Sequence, residues 1–378
     1  MMESQIYENK NNYAIYPPPK KNSYATDIHQ NKPRIEYIDL AKGMCILLVV
    51  VRHTFKFYGN YNEAQMPFSS YIFTFDMPLF FFLSGLFFNT YNGLKDFITR
   101  KTNKLLVTFF FFYIVTCIGL KALLSFCDIP MDGAEGLRVV WSFACEKILP
   151  NGPLWFLLCL FWVNLFFYSS YIVSDKIGKT ENKKLAWLIA FTLLGGYAGV
   201  MMGMHDIILP MFADTALTCM PFFGAGYIFR KHTQILYPNS WDKWLLPMML
   251  LAAGMAYVFR GGMYFWNNTF SVSPIKMYIG GLTGTLAVML LAKRIGRLPL
   301  VSYWGRYSIV ILCTHYVIAQ LLAYAFKESG MTAQLDEKLS LLTCLVCTLA
   351  VCTVLIPLCV RYLPWFTAQK DLIRIKTK

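Results

Sequence analysis

The stretch "RIEYIDLAKGMCILLVVVRHTFKFYG", residues 34–59, decides the fold class. It opens with charged side chains and continues into an apolar run that is too hydrophobic for the surface helix of a soluble protein. The run nevertheless contains Arg52 and His53, and Lys42 lies eleven positions before the histidine. Ionisable side chains are costly inside a bilayer. The stretch therefore predicts a membrane helix in which these three side chains are candidate functional groups.

The composition of the whole chain supports the same class. Hydrophobic residues make up 56% of the 378 residues and charged residues 15%, with a mean hydropathy of +0.45. Soluble domains carry about 25% charged residues. We therefore predict an all-α, polytopic membrane protein. The basic residues that give the net charge of +14 lie between the apolar runs and not along one face. We therefore expect the lipid bilayer as a partner and no nucleic acid.

Ten apolar runs are long enough to cross a bilayer, which takes about 17 to 25 helical residues. Lys and Arg concentrate in the connections that face the cytoplasm. With the N-terminus inside, 26 of the 35 Lys and Arg residues fall in cytoplasmic segments. This bias predicts about ten transmembrane helices with both termini cytoplasmic. The predicted spans lie near residues 43–59, 71–89, 105–127, 154–174, 185–203, 208–229, 245–262, 275–292, 306–326 and 339–362.

Polar segments flank the predicted membrane domain, which covers residues 34–366. Residues 1–33 are rich in Asn, Lys and Tyr and contain three consecutive prolines, so we expect a disordered cytoplasmic tail. Residues 367–378 are expected to form a basic cytoplasmic tail. The first apolar run has no small-residue cleavage site and is expected to stay as an anchor in the plasma (inner) membrane. Cys127 and Cys145, at the longest predicted outer loop, either pair or stay free.

Lys42 and His53 are expected on one side of the first helix. The eleven positions between them make about three turns and about 16 Å of rise. One stripe of this helix would then carry a cation at the cytoplasmic end and an imidazole in the outer half. Asp39, three residues before Lys42, is expected to pair with it or with the basic segment 95–104.

Three ionisable side chains inside predicted spans are each open to two interpretations. His53 either bonds a neighbouring helix or moves a proton, because imidazole titrates near neutral pH. His315, near the middle of the ninth predicted span, is open to the same choice. Arg52 points about 100° away from His53, and it either extends to the outer headgroups or belongs to the site.

The second predicted span contains "DMPLFFFLSGLFF", residues 76–88. Pro78 and Gly85 weaken a helix, and Ser84 can satisfy a freed carbonyl. We therefore predict a broken or tightly packed helix beside a cavity. The depth of Asp76 depends on where this helix begins.

A basic cluster follows that span and consists of Lys95, Arg100, Lys101 and Lys104. Topology alone explains these charges, or they form a pocket for an anionic ligand with phosphates. The sequence has no HExxH, GxSxG or P-loop motif and no metal-ligand cluster. We therefore expect no bound metal or cofactor.

Six segments, in this order, resemble the membrane acyltransferase 3 family, with the fucose O-acetylase-like branch as the closest. The most specific is a basic residue followed by ten residues and a histidine, which Lys42 to His53 fit. The resemblance runs from residue 34 to about residue 320. Its segments are "RIEYIDLAKGMCILLVVVRH", "MPLFFFLSGLFF", "FITRKTNKLL", "PLWFLLCLFWVN", "MPFFGAGYIF" and "WGRYSIVILCTH".

This resemblance implies O-acylation: an acyl group, usually acetyl, would pass from cytoplasmic acyl-CoA to a hydroxyl of a cell-envelope carbohydrate or a lipid-linked sugar. It implies that His53 is the catalytic histidine with Lys42 as its basic partner. Donor binding would fall to Arg100, Lys101 and Lys104. The other candidate site residues are Asp39, Arg52, Asp76, Ser84, Trp155 and His315.

Three positions depart from the family's pattern. Lys42 stands where many members have arginine, although this branch often has lysine. Arg52 stands where a small residue is usual, and Asp76 stands where relatives often have histidine before Met-Pro. The last two departures would either alter the acceptor or reflect drift.

Two other functions also fit the sequence. A secondary transporter or flippase of an envelope precursor uses intramembrane His and Arg as well, and it would take up substrate without releasing CoA. A non-enzymatic scaffold of an envelope complex would need neither histidine except for folding. The sequence leaves open the acceptor, the acyl chain, direct transfer against an acyl-histidine relay, and the oligomeric state.

Overall fold

A computed structural model describes residues 35–58, 74–126, 138, 140–232, 242–258, 263–270, 273–330 and 337–373. The described part is predominantly helical and contains one short hairpin of strands β1 (Met263–Tyr264) and β2 (Thr269–Phe270). Residues 1–33 and Cys127 lie outside the described residues, so the disordered tail and the Cys127–Cys145 pair stay predictions. The helices are α1 Glu36–Tyr58, α2 Asp76–Leu86, α3 Leu94–Phe126, α4 Ser142–Cys145, α5 Trp155–Ile177, α6 Glu181–Met204, α7 Ala213–His232, α8 Asp242–Val258, α9 Pro274–Ile295, α10 Pro299–Arg306, α11 Ser308–Glu328 and α12 Glu337–Tyr362.

Each of the ten predicted spans coincides with one of these helices. Six described helices are long and apolar enough to cross a membrane, namely α3, α5, α6, α9, α11 and α12. Among the shorter apolar helices are α2 and most of α8. The chain is therefore an all-α, multi-pass membrane protein. The count of about ten spans and the cytoplasmic placement of both termini stay predictions.

Helix α1 lies at the centre of the bundle and contacts α2, α9, α10, α11 and α12. Its backbone touches that of α10 at two glycines. A side chain on Gly43 would overlap the carbonyl of Val301, and one on Gly305 would overlap the carbonyl of Asp39. Small residues let membrane helices approach this closely. The crossing fixes the depth and rotation of α1, and with them the positions of its charged side chains.

Helix α2 is short and tightly packed, as its sequence predicted. Pro78 lies in the first turn, where its missing N–H costs no helical hydrogen bond. Gly85 lies directly against the backbone carbonyl of Phe223 in α7, which leaves no room for a side chain. Arg230 of α7 donates to the carbonyl of Leu86 at 2.8 Å and so satisfies the end of α2.

Helix α3 contains two wider, π-helical stretches, at Thr102–Leu106 and Tyr113–Leu120. In the first, Asn103 bonds the backbone of Ile373 twice, at 2.8 Å each, as donor and as acceptor. Phe366 stacks on Phe111 with 4.2 Å between ring centroids. The end of the chain, predicted as a tail from residue 367, is therefore held against α3 as far as Ile373.

Candidate functional site

A cavity of about 360 Å³ opens beside the first half of α1, between α2, α3, α5 and α11. Three lysines lie on its wall, and most of the rest is aromatic or aliphatic. Binding clefts commonly combine such an apolar wall with a few polar groups. We call it the basic cavity. Its polar lining residues are Lys42, Lys101, Lys104, Ser84, Asn164, Tyr91 and Ser308.

The basic cluster predicted to bind the donor divides into two parts. Lys101 and Lys104 lie three residues apart across the first π-helical stretch of α3, and both line the basic cavity with Lys42. Arg100 instead donates to Asp96 at 2.8 Å and stacks 4.8 Å from the ring centroid of Tyr91. Its charge therefore borders the basic cavity through Tyr91.

Two neutral polar residues complete the wall. Ser84 donates to the carbonyl of Phe80 at 2.8 Å, the role expected of it in α2. Asn164 donates through Nδ2 to the carbonyl of Leu160 at 2.7 Å, and its Oδ1 is buried with no hydrogen-bond partner in the described structure. The sequence reasoning missed Asn164. The available signal was one amide inside the apolar run "LLCLFWVNLFF".

Two histidines meet further along α1. His53 Nδ1 lies 2.9 Å from His315 Nε2, and we call these residues the histidine pair. His315 Nδ1 lies 2.6 Å from the carbonyl of Ile311, which can only accept. In the neutral pair, His315 Nε2 therefore accepts from the Nδ1–H of His53. The lone pair of His53 is then on Nε2, which the pair does not use.

Two further residues surround the histidine pair. Lys56, one turn after Arg52 on α1, donates to the hydroxyl of Tyr316 at 2.6 Å. The ring of Tyr316 meets that of His53 edge-on at 5.1 Å between centroids. Neither residue was predicted to belong to the site, although Tyr316 is the immediate neighbour of His315.

Arg52 bonds Asp76 instead of extending to lipid headgroups. The two side chains approach to 2.9 Å, and Asp76 is fully buried while Arg52 keeps 24% of its side chain exposed. The other carboxylate oxygen of Asp76 accepts from the backbone N–H of Met77 at 2.6 Å. Both oxygens are therefore occupied. Asp76 is the first residue of α2 and is buried there, and its depth in the membrane stays a matter of prediction.

The basic cavity ends about one helical turn before the histidine pair. Leu312 lines the cavity and lies three residues before His315 on α11. Phe80 lines it and lies four residues after Asp76 on α2. At 1.5 Å of rise per residue, these steps correspond to about 5 Å. Lys42 therefore lies in the wall of the basic cavity, and His53 lies beyond the end of the cavity, further along α1.

Two other predicted site residues line neither the basic cavity nor the histidine pair. Trp155 begins α5 and packs against Phe156 and Phe212, with ring centroids about 6 Å apart. Asp39 lies where α1 crosses α10, with its backbone carbonyl against Gly305. Asn151, just before α5, donates to the carbonyl of Cys313 at 2.7 Å and so ties α5 to the helix that carries His315.

A second buried polar cluster lies at the beginning of α7. Lys147 donates to Asp214 at 2.5 Å and to Thr215 at 3.4 Å. The other oxygen of Asp214 accepts from the backbone N–H of Leu209 at 3.3 Å. This Lys147–Asp214 pair was not predicted, because the two residues are 67 positions apart. The described residues contain no group of three or more His, Cys, Asp or Glu side chains that could hold a metal ion.

A family model described as an acyltransferase domain matches residues 35–359 of the chain. The match includes both members of the histidine pair and all three lysines of the basic cavity. No curated protein and no solved structure matches the chain. The family match does not separate the branches of the family, so the fucose O-acetylase-like branch stays a prediction.

Proposed function

The chain belongs to the membrane acyltransferase 3 family, and we propose that it moves an acyl group from cytoplasmic acyl-CoA to a hydroxyl of a cell-envelope carbohydrate or lipid-linked sugar. Acetyl is the expected group. One observation carries the proposal: a cavity with three lysines ends about one turn from a histidine whose Nε2 lone pair is not used by the pair.

The basic cavity suits the donor for electrostatic and steric reasons. Acyl-CoA carries several phosphates and cannot cross a bilayer, so it must bind from the side where the lysines are. Lys101 and Lys104 would hold the phosphates, and Lys42 would extend the positive potential inward. The apolar wall beyond them, including Phe156 and Leu312, would accommodate the uncharged arm and bring the thioester towards His53.

The chemistry assigned to His53 is general base catalysis. Its Nε2 takes the proton of the acceptor hydroxyl as the oxygen attacks the thioester carbonyl. The tetrahedral intermediate collapses by breaking the carbon–sulfur bond, and the same proton passes to the departing thiolate. The products are the O-acyl acceptor and free CoA thiol. The bond to His315 holds the imidazole in the tautomer that this step requires.

General base catalysis by His53 would supply only part of the rate enhancement, so the site must supply other contributions. A positioned general base typically contributes about 10²–10⁴-fold in rate. Orientation of the two substrates at the meeting point of two routes would add more, because well-oriented reactants avoid much of the entropic cost. The acceptor would approach His53 from the side of the bundle opposite the basic cavity. In this proposal that side faces away from the cytoplasm across the plasma membrane.

The decisive experiment uses the purified full chain in lipid nanodiscs with acetyl-CoA and a panel of sugars and lipid-linked glycans. We expect thiol release that depends on the acceptor, together with acetylated acceptor detected by mass spectrometry. Comparing envelope glycans from cells with and without the protein would identify the acceptor. Uptake of an acceptor into sealed vesicles with no thiol release would overturn the proposal and favour a transporter.

A further inference from the structure

The cavity wall contains one buried acceptor that the protein leaves unused. Asn164 is 1% exposed, and its Nδ2 is anchored by the carbonyl of Leu160 at 2.7 Å. That bond fixes the side-chain amide, so its Oδ1 is held in one orientation. Asn164 is a lining residue of the basic cavity, and this buried oxygen has no partner among the described residues. Buried acceptors are almost always satisfied, so the occupant of the cavity is expected to supply a donor.

The neighbours of Asn164 restrict what that occupant can be. Leu157 and Leu160, on the same face of α5, and Leu312 on α11 make this part of the wall apolar. The cations Lys101 and Lys104 line the same cavity from α3. A fitting ligand is anionic at one end and uncharged beyond it, with an N–H or O–H donor on the uncharged part. The pantetheine arm of CoA has this pattern, because it carries two amide N–H groups between the phosphates and the sulfur.

We propose that Asn164 selects the acyl donor: its Oδ1 accepts a hydrogen bond from an amide N–H of the pantetheine arm. This inference rests on the proposed function, and it assigns a specificity role to a residue outside the histidine pair. Holding the arm at a fixed point would also fix how far the thioester extends towards His53. A hydroxyl of the sugar acceptor is the competing donor. The position of Asn164 in the wall that contains the three lysines favours the arm of the anionic ligand.

The test pairs a variant with a donor analogue. Wild type and Asn164→Leu are each assayed with S-acetylpantetheine and with analogues in which one amide N–H is replaced by an ester oxygen. For the wild type, we expect KM to rise about 10- to 100-fold with the analogue that lacks the bonded N–H. For Asn164→Leu, we expect a similarly raised KM with both donors. The two losses would then not add, which is the sign of a direct interaction.

A matched control is available on α11. Gln320 also has a buried side-chain oxygen without a partner in the described structure, but it does not line the basic cavity. Gln320→Leu should leave KM unchanged for every donor. The comparison uses KM, which does not depend on the fraction of Asn164→Leu that folds, so partial misfolding of this variant does not mimic the expected result.

Three results would separate the possible failures. Losses that multiply in Asn164→Leu with the analogue would overturn the inference and leave the proposed function intact. A raised KM for the sugar with an unchanged KM for the thioester would assign Asn164 to the acceptor, and would also overturn it. Absence of thiol release by the wild type from acetyl-CoA across the acceptor panel would overturn the proposed function itself.

Discussion

Two buried polar clusters in this bundle differ in whether every polar side-chain atom has a partner. In the Lys147–Asp214 pair, both oxygens of Asp214 are occupied, one by Lys147 and one by the backbone of Leu209. In the histidine pair, the chain of donors runs from His53 to His315 to the carbonyl of Ile311 and leaves Nε2 of His53 outside it. A closed cluster holds helices together, whereas an open one has a group left for a substrate.

Whether the atoms of a cluster are all occupied also suggests a role for Arg52, which the sequence left open. Asp76 accepts from Arg52 and from the backbone of Met77, so this ion pair resembles the closed cluster although it lies beside the open one. We therefore interpret Arg52 and Asp76 as residues that join α1 to α2 next to the site. Four experiments test whether the contrast between closed and open clusters holds.

The largest effect on turnover is expected at His53, whose Nε2 is not used by the histidine pair. Replacing His53 with Asn retains a side-chain N–H that can donate to His315 but removes the base. We expect kcat for acyl transfer to fall by about 10²–10⁴-fold, with thermal unfolding in detergent little changed. The measurement is thiol release from acetyl-CoA at matched protein levels. Wild-type turnover in this variant would remove His53 from the mechanism.

Breaking the Lys147–Asp214 pair should instead lower stability and leave turnover unchanged. Asp214→Ala leaves Lys147 buried without its carboxylate, which typically costs about 3–5 kcal/mol in the free energy of unfolding. We expect a lower unfolding temperature and unchanged turnover per folded molecule. Replacing both residues together, with Lys147→Met and Asp214→Leu, should recover much of the stability. A loss of turnover without a loss of stability would show that this cluster also takes part in the chemistry.

An intermediate effect is expected at His315, which acts through His53. His315→Leu leaves the Nδ1–H of His53 without its acceptor, and a buried unsatisfied donor costs about 1–3 kcal/mol. Because this free-energy cost applies at the transition state, we expect kcat to fall about 10- to 100-fold and KM for acetyl-CoA to stay unchanged. His315→Gln keeps an acceptor near the position of Nε2 and should recover part of the rate. Equal losses in the Leu and Gln variants would contradict the orienting role.

The smallest effect is expected at the mouth of the basic cavity. Exposed or half-exposed ion pairs contribute about 0.2–1 kcal/mol each, so replacing Lys101 and Lys104 with Gln should raise KM for acetyl-CoA about 3- to 10-fold. The difference from wild type should shrink at high salt, because salt screens these charges. Lys95→Gln is the matched control, since Lys95 is exposed and does not line the cavity. A salt-independent change, or the same change in the control, would argue against phosphate binding here.

The sequence predicted the helical membrane class because apolar runs report burial directly. Every predicted span coincides with a helix, and the Pro78 and Gly85 signals correctly indicated the tight packing of α2. The spacing of Lys42 and His53 likewise predicted their separation of about 16 Å along α1, because that relation lies within a single helix.

Relations between helices were beyond the sequence. His53 and His315 are 262 positions apart, and Arg52 and Asp76 are 24 apart on two different helices. The periodicity of one helix does not show which face of another helix it meets. The sequence therefore predicted both histidines as candidate site residues but did not predict that they contact each other. Asn164 was missed for another reason: a single uncharged amide does not interrupt an apolar run, although an amide in such a span is also costly.

The contact between Asn103 and Ile373 ties the lysine-bearing turn of α3 to a segment far along the chain. Asn103 lies between Lys101 and Lys104, and its side-chain amide bonds both the N–H and the carbonyl of Ile373. Although 270 positions separate the two bonded residues, the segment around Ile373 therefore acts as a brace for this turn. A substitution that breaks the brace should change the positions of both lysines without touching either of them.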